Sequence, residues 1–234
     1  MGDPQSFFSP ATLFANLFDA AVFFAIYGIL KARTKSYGSP SFKYWQSYFL
    51  NMGLFVSIVS LPHLWLLFAP EQFLAAAKWA LSFGRLFLLL AVASTARLLA
   101  LFIWEQKTKL IYTTWLLLGC IIFILNIIYP SAPVFGHTQK MLINNAHPII
   151  GITMPIYVSA IWIPLAILFI RSGIKNKKIR TSSFLLAAGL ITQSISGPLQ
   201  GYANSPQVMI LAVIFTTISG VLILAGILYK KETG

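Results

Sequence analysis

Five polar residues lie inside long apolar runs, and their types bound the chemistry available to the chain. Asp19 falls in NLFDAAVFF, His63 in SLPHLW, Arg85 in LSFGRLFLLL, Gln193 in LITQSIS and Thr216 in VIFTTIS. A carboxylate can take a proton or hold a cation, and a guanidinium can hold an anion. Imidazole, amide and hydroxyl groups supply the donors and acceptors that orient a small polar ligand. In hydrocarbon an ionised side chain costs about 2.5–3.5 kcal/mol on insertion scales, so each needs a partner or a use. At 1.5 Å per residue, Asp19 lies roughly 12 Å and Arg85 roughly 14 Å below one surface. Opposite charges at one depth predict an Asp19–Arg85 ion pair inside the bundle.

Other polar groups collect at the same level. Ser60 precedes His63, and Asn16 shares a helix face with Asp19. Thr192, Ser194 and Ser196 flank Gln193, while Thr217 and Ser219 follow Thr216. The opposite half holds fewer, namely Asn51, Ser94, Thr95 and Thr113. This one-sided distribution suits an outward-facing polar pocket formed by Asp19, His63, Arg85, Gln193 and Thr216. The rival reading is interhelical glue, with each hydrogen bond contributing about 0.6 kcal/mol. Arg97 lies close enough to the other surface for its side chain to snorkel to the headgroups, and it reads as an anchor.

The elements that must position these residues follow from composition. Hydrophobic residues make up 58% of the chain and charged residues 9%, with a mean hydropathy of +0.79. A water-soluble domain is usually about a quarter charged, so lipid is the expected solvent for most of this surface. Runs of about 20 apolar residues mark transmembrane helices. Seven are expected, at about 11–31, 44–68, 74–104, 110–129, 148–170, 181–200 and 207–229. Continuous runs without strict alternation imply helices, not a barrel. The expected fold is therefore an all-α, single-domain, seven-transmembrane-helix bundle. Pro155 and Pro164 predict a bend or local opening in the fifth span.

The formal charge of +12 is distributed as membrane loops are, which argues against a nucleic-acid partner. Thirteen of the 17 Lys and Arg residues fall in the connections after spans 1, 3 and 5 and after span 7. Only Lys78 and Lys140 fall on the other side. Cations are retained in the cytoplasm, so the N-terminus is expected outside and the C-terminus inside, in a multi-pass plasma-membrane protein. MGDPQSFFSP lacks a positive n-region, and the first span is expected to be retained. Cys120, alone in an apolar run, reads as a small buried hydrophobe.

Several functions lose their requirements. Span 7 has no interior lysine for a retinal Schiff base, since Lys230 and Lys231 lie at its end. No HExxH, CxxC, GxSxG or Walker A pattern occurs, and no enzyme activity is expected. Two arginines do not make a voltage-sensing ladder. No cofactor is expected. Of His63, His137 and His147, only His63 is clearly within a span, so a haem has one intramembrane ligand and His147 at the mouth of span 5 to draw on.

The run FLAAAKWALSFGRLFLLLAVASTARLL in span 3 and IYVSAIWIPLAILFIRSGIKNKKIRTSSFLLAAGLI across spans 5 and 6 carry a family resemblance. Over nearly its whole length, in span order and spacing, the chain resembles the seven-span N-terminal sensory module of some prokaryotic histidine kinases and cyclases. The resemblance implies signal transduction from an outward site. Those modules hand over to a cytoplasmic catalytic domain, whereas this sequence ends at LYKKETG. It is then expected to be a free-standing input module acting on a cytoplasmic or membrane partner. The basic connections could meet an acidic partner or anionic lipid, or simply set topology. The leading expectation is a sensor or ligand-binding membrane module. The rivals are a small transporter or channel using Asp19 and Arg85, and a structural subunit of a membrane complex. The oligomeric state is left open.

Overall fold

Proline sets the start of five helices. Its missing N–H would be unpaired in a first turn anyway, and its fixed φ suits the entry. Pro10, Pro40, Pro62, Pro148 and Pro206 open α1 (Pro10–Tyr37), α2 (Pro40–Ser60), α3 (Pro62–Phe68), α6 (Pro148–Lys175) and α8 (Pro206–Leu228). The other helices are α4 (Phe73–Ile103), α5 (Thr108–Ile128) and α7 (Arg180–Gly201). The computed structural model describes residues 10–37, 39–131, 134–136, 141–143, 146–201 and 205–229. Lys140, His137, Lys230 and Lys231 lie outside them.

The expected spans reappear within a few residues at most ends, with two differences. Span 2 is divided at Leu61, because Pro62 cannot donate the hydrogen bond that would continue α2 into α3. The connection after α5 holds a short antiparallel hairpin, where the apolar spans predict no element. In it β1 (Val134–Gly136) pairs with β2 (Met141–Ile143), Val134 opposite Ile143 and Phe135 opposite Leu142. The helix α6 runs unbroken through both Pro155 and Pro164.

Among the described residues, six helical segments are long and apolar enough to cross a membrane, α2 and α3 counting as one. The protein is thus a helical bundle of membrane-spanning character. The helix α7 covers the expected sixth span but is not among the six, because hydroxyl and amide side chains from Thr181 to Gln200 dilute its apolar face.

Packing runs in succession through α1, α2, α4, α6, α7 and α8, and α8 returns to α1 to close a ring. The helix α5 packs on α4 and α6 from outside and is the least buried of the six apolar segments. The most buried is α4, whose Ala91, Ala93, Ser94, Thr95, Ala96 and Ala100 keep its middle narrow and admit neighbours closely. Glycine serves the same end between α7 and α8. A methyl group at Gly226 would stand 2.8 Å from Leu186 Cγ and 2.9 Å from the Ser182 carbonyl oxygen. The core beneath is aromatic and aliphatic, built on Phe23, Leu30, Tyr48, Phe49, Met52 and Leu190.

Candidate functional site

Helix register fixes the depth of each polar residue. Gly53 of α2 faces Phe24 of α1, and Gly84 of α4 faces Val59 of α2. Counting along antiparallel neighbours from these contacts brings Asp19 and Arg85 level with Ile58. The common depth expected from sequence holds. The ion pair does not form, because the two side chains leave the level in different directions.

Asp19 is 1% exposed and points toward α8, where the Thr217 hydroxyl donates to its Oδ1 at 3.0 Å. The second oxygen, Oδ2, is buried with no protein donor. Phe23, one turn deeper on α1, packs against Phe49 with ring centroids 5.9 Å apart, and its edge meets Gly220 of α8. Deeper in the same core the rings are joined by Tyr48, whose buried hydroxyl has no partner among the described residues.

Gln193 and Thr216 belong to the same level. Gly189 of α7 sits against Ser219 and Ile223 of α8, and one turn from that contact, toward the α7–α8 connection, are Gln193 on one helix and Thr216 on the other. Gln193 is 4% exposed, and its Oε1 is a second buried acceptor without a donor. Thr216 is spent on structure: its hydroxyl donates to the Ala212 carbonyl and accepts from Gln200 Nε2, both at 3.0 Å. Near it the Ser219 hydroxyl donates to the Gly189 carbonyl at 2.8 Å.

Arg85, 8% exposed, turns to α5 instead. Its Nη1 donates to Asn126 Oδ1 at 2.7 Å and also to the Ser131 hydroxyl. Asn126 in turn donates through Nδ2 to the Ser82 carbonyl at 3.1 Å. A guanidinium held by neutral oxygens, one on α5 and one on the segment after it, is a clamp between α4 and the C-terminal end of α5. Asn126 is the residue that sequence reasoning missed. Its signal was available, as the one polar side chain near the end of GCIIFILNII.

His63 serves the break at Pro62. Leu64 N donates to Leu61 O across the break, which leaves the Ser60 carbonyl without its helical donor. The His63 ring supplies one, Nδ1 lying 3.2 Å from Ser60 O. The same ring meets Phe73 of α4 edge-on, centroids 6.2 Å apart. His147 caps α6, accepting from Ile149 N at 3.4 Å, and stacks on Tyr129 at 4.6 Å. Among the described residues no three His, Cys, Asp or Glu side chains gather as a metal-binding group.

The five expected site residues thus divide. Asp19, Gln193 and Thr216 share one level on α1, α7 and α8, whereas Arg85 and His63 are committed elsewhere. What the first group offers is unusual in a helical core: two buried acceptor oxygens awaiting a donor. No protein-family model matches the chain, and a comparison with curated proteins finds no match.

Proposed function

We propose that the chain is a membrane-embedded ligand-binding module of the sensory kind, its binding centre at Asp19 between α1, α7 and α8. The observation that carries this reading is the half-paired carboxylate. Buried polar atoms nearly always find a partner, and an ionisable group inside a span is functional by default. Asp19 Oδ2 and Gln193 Oε1 are acceptors, so the ligand class is a small cation or a molecule presenting N–H or O–H donors. The floor of Phe23, Phe49 and Met52 favours a closed-ended site over a transport path. In this reading the chain is a plasma-membrane protein with the N-terminus outside, α7 is the sixth of seven crossings, and it performs no catalysis. Output passes to a partner at the basic end.

The test combines binding and flux. Thermal unfolding of the chain in nanodiscs is followed with sodium, ethanolamine and tetramethylammonium at matched ionic strength. At least one of these raises the Tm of the wild type and leaves Asp19→Asn unmoved. Proteoliposomes then show no Asp19-dependent flux of protons or of the stabilising cation. Equal response of the wild type and the variant removes the binding centre, and Asp19-dependent flux makes the protein a transporter.

A further inference from the structure

A second site lies at the opposite end of the bundle, where α2, α4 and α5 enclose a cavity of about 310 Å³. This is the end that carries the basic connections between α1 and α2 and between α4 and α5. Its walls include Lys43, Tyr44 and Ser47 from α2, Ser94 and Arg97 from α4, and Tyr112 from α5, with no acidic side chain among the lining residues.

Arg97 is half-buried at this end, between two aromatic rings. Its guanidinium carbon lies 4.7 Å from the Tyr44 ring centroid and 5.0 Å from that of Tyr112. Rings from two different helices hold the plane of the cation by cation–π attraction. Their contact leaves the N–H edge to be satisfied by something else. Nε is buried without a partner, and a buried charged donor left unmade costs more than a neutral one. Ser94 cannot answer it with a full lone-pair set, since its oxygen lies 2.9 Å from that of Ser47 and its proton goes to the Leu90 carbonyl. The cavity therefore presents a guanidinium fork, an exposed lysine ammonium and two phenols, all donors, around a space with no counter-charge.

We propose that this cavity binds a phosphate-bearing anion, its oxygens taken by Arg97 and Lys43. Arginine suits the task because its planar fork matches two phosphate oxygens at once. The phosphate can arrive on a phospholipid headgroup, for which basic pockets between helices at the membrane rim are a known geometry, or on a soluble compound. The site is independent of Asp19.

The experiment has two arms on the full chain. Native mass spectrometry after release from nanodiscs of phosphatidylglycerol and phosphatidylcholine in equal parts reads the lipid source. Thermal shift in detergent, inorganic phosphate against chloride at matched ionic strength, reads the soluble source. The wild type retains phosphatidylglycerol preferentially, is stabilised by phosphate, or both. Arg97→Gln and Lys43→Gln each weaken the effect on the order of fivefold, the fold-change for about 1 kcal/mol per cation. Lys31→Gln, which removes a charge lying against Tyr27 and outside the cavity, keeps it. A response in the lipid arm alone assigns the headgroup, and one in both arms assigns the phosphate itself. No preference in either arm overturns the proposal, as does an equal loss in Lys31→Gln. Lys43, being exposed, keeps the test open should Arg97→Gln fail to fold.

Discussion

The Nη1 of Arg85 donates to the amide oxygen of Asn126 at 2.7 Å, so the cation in the N-terminal half of α4 is answered by an uncharged partner on α5. Asp19, at the same depth, takes its only hydrogen bond among the described residues from Thr217. Thermal stability of the Asp19→Asn, Arg85→Gln cycle should therefore be additive within about 0.5 kcal/mol. The Arg85→Gln, Asn126→Ala cycle should couple by roughly 0.5–3 kcal/mol, as contacting residues do. Coupling in the first cycle would restore the ion pair.

Thr217→Val should leave the carboxylate of Asp19 without a donor. Hydrogen bonds to charged groups are worth about 1.5–3 kcal/mol, and a loss of that size is expected in detergent unfolding. Asp19→Leu removes the orphaned oxygens with the charge, and should be neutral or stabilising, as exchange of buried ionic groups for apolar ones often is. A carboxylate kept at a cost in stability is the expected signature of function.

Close helix approach makes three glycines unequal. A methyl group at Gly189 would stand 2.5 Å from Ile223 Cγ1 and 3.0 Å from the Ser219 carbonyl oxygen, and Gly226 is similarly confined. Gly189→Ala and Gly226→Ala should each lower stability by about 1–3 kcal/mol, the usual cost of overpacking. At Gly28 nothing lies within 4 Å, so Gly28→Ala should be neutral or gain up to about 1 kcal/mol from helix propensity. Thermal melts of the three variants in one detergent decide it.

Trp162 Nε1 donates to the Thr95 hydroxyl at 3.1 Å, joining the middle of α6 to the C-terminal half of α4. Trp162→Phe keeps most of the packing and forfeits this bond. It should cost about 0.5–1.5 kcal/mol, plus a contribution from lost area. Adding Thr95→Val should then cost less than it does in the wild type, which a second cycle measures.

Most of the fold was legible because its signals are local. Apolar length, proline at helix starts and clustered cations place each span from its own residues. Depth was legible for the same reason, since it needs only a count from a helix end. Direction was not. Whether Arg85 turns to α1 or α5 depends on how α4 is rotated in the bundle, and packing against three neighbours sets that rotation. The level of Asp19 could thus be read, but Thr217 and Asn126 could not be assigned as partners. Pro62 in SLPHLW carried enough information to divide span 2. The hairpin of Val134–Gly136 with Met141–Ile143 rests on strands of three residues, too short for alternation to declare itself.

The seam between α7 and α8 bears on how such a chain is made. The Ser182 hydroxyl of α7 donates to the Gly226 carbonyl, Ser219 of α8 donates to the Gly189 carbonyl, and Gln200 donates to Thr216. Of the polar side chains that keep α7 from resembling a membrane helix on its own, Ser182 and Gln200 are met by the very next helix, and Ser194 and Ser196 by α7's own carbonyls. If α7 enters the bilayer during synthesis, it does so as half of a hairpin, waiting at the translocon until α8 has emerged. Its insertion is then a property of the pair, and a ribosome stalled just after Gly201 would leave α7 on the wrong side of that decision.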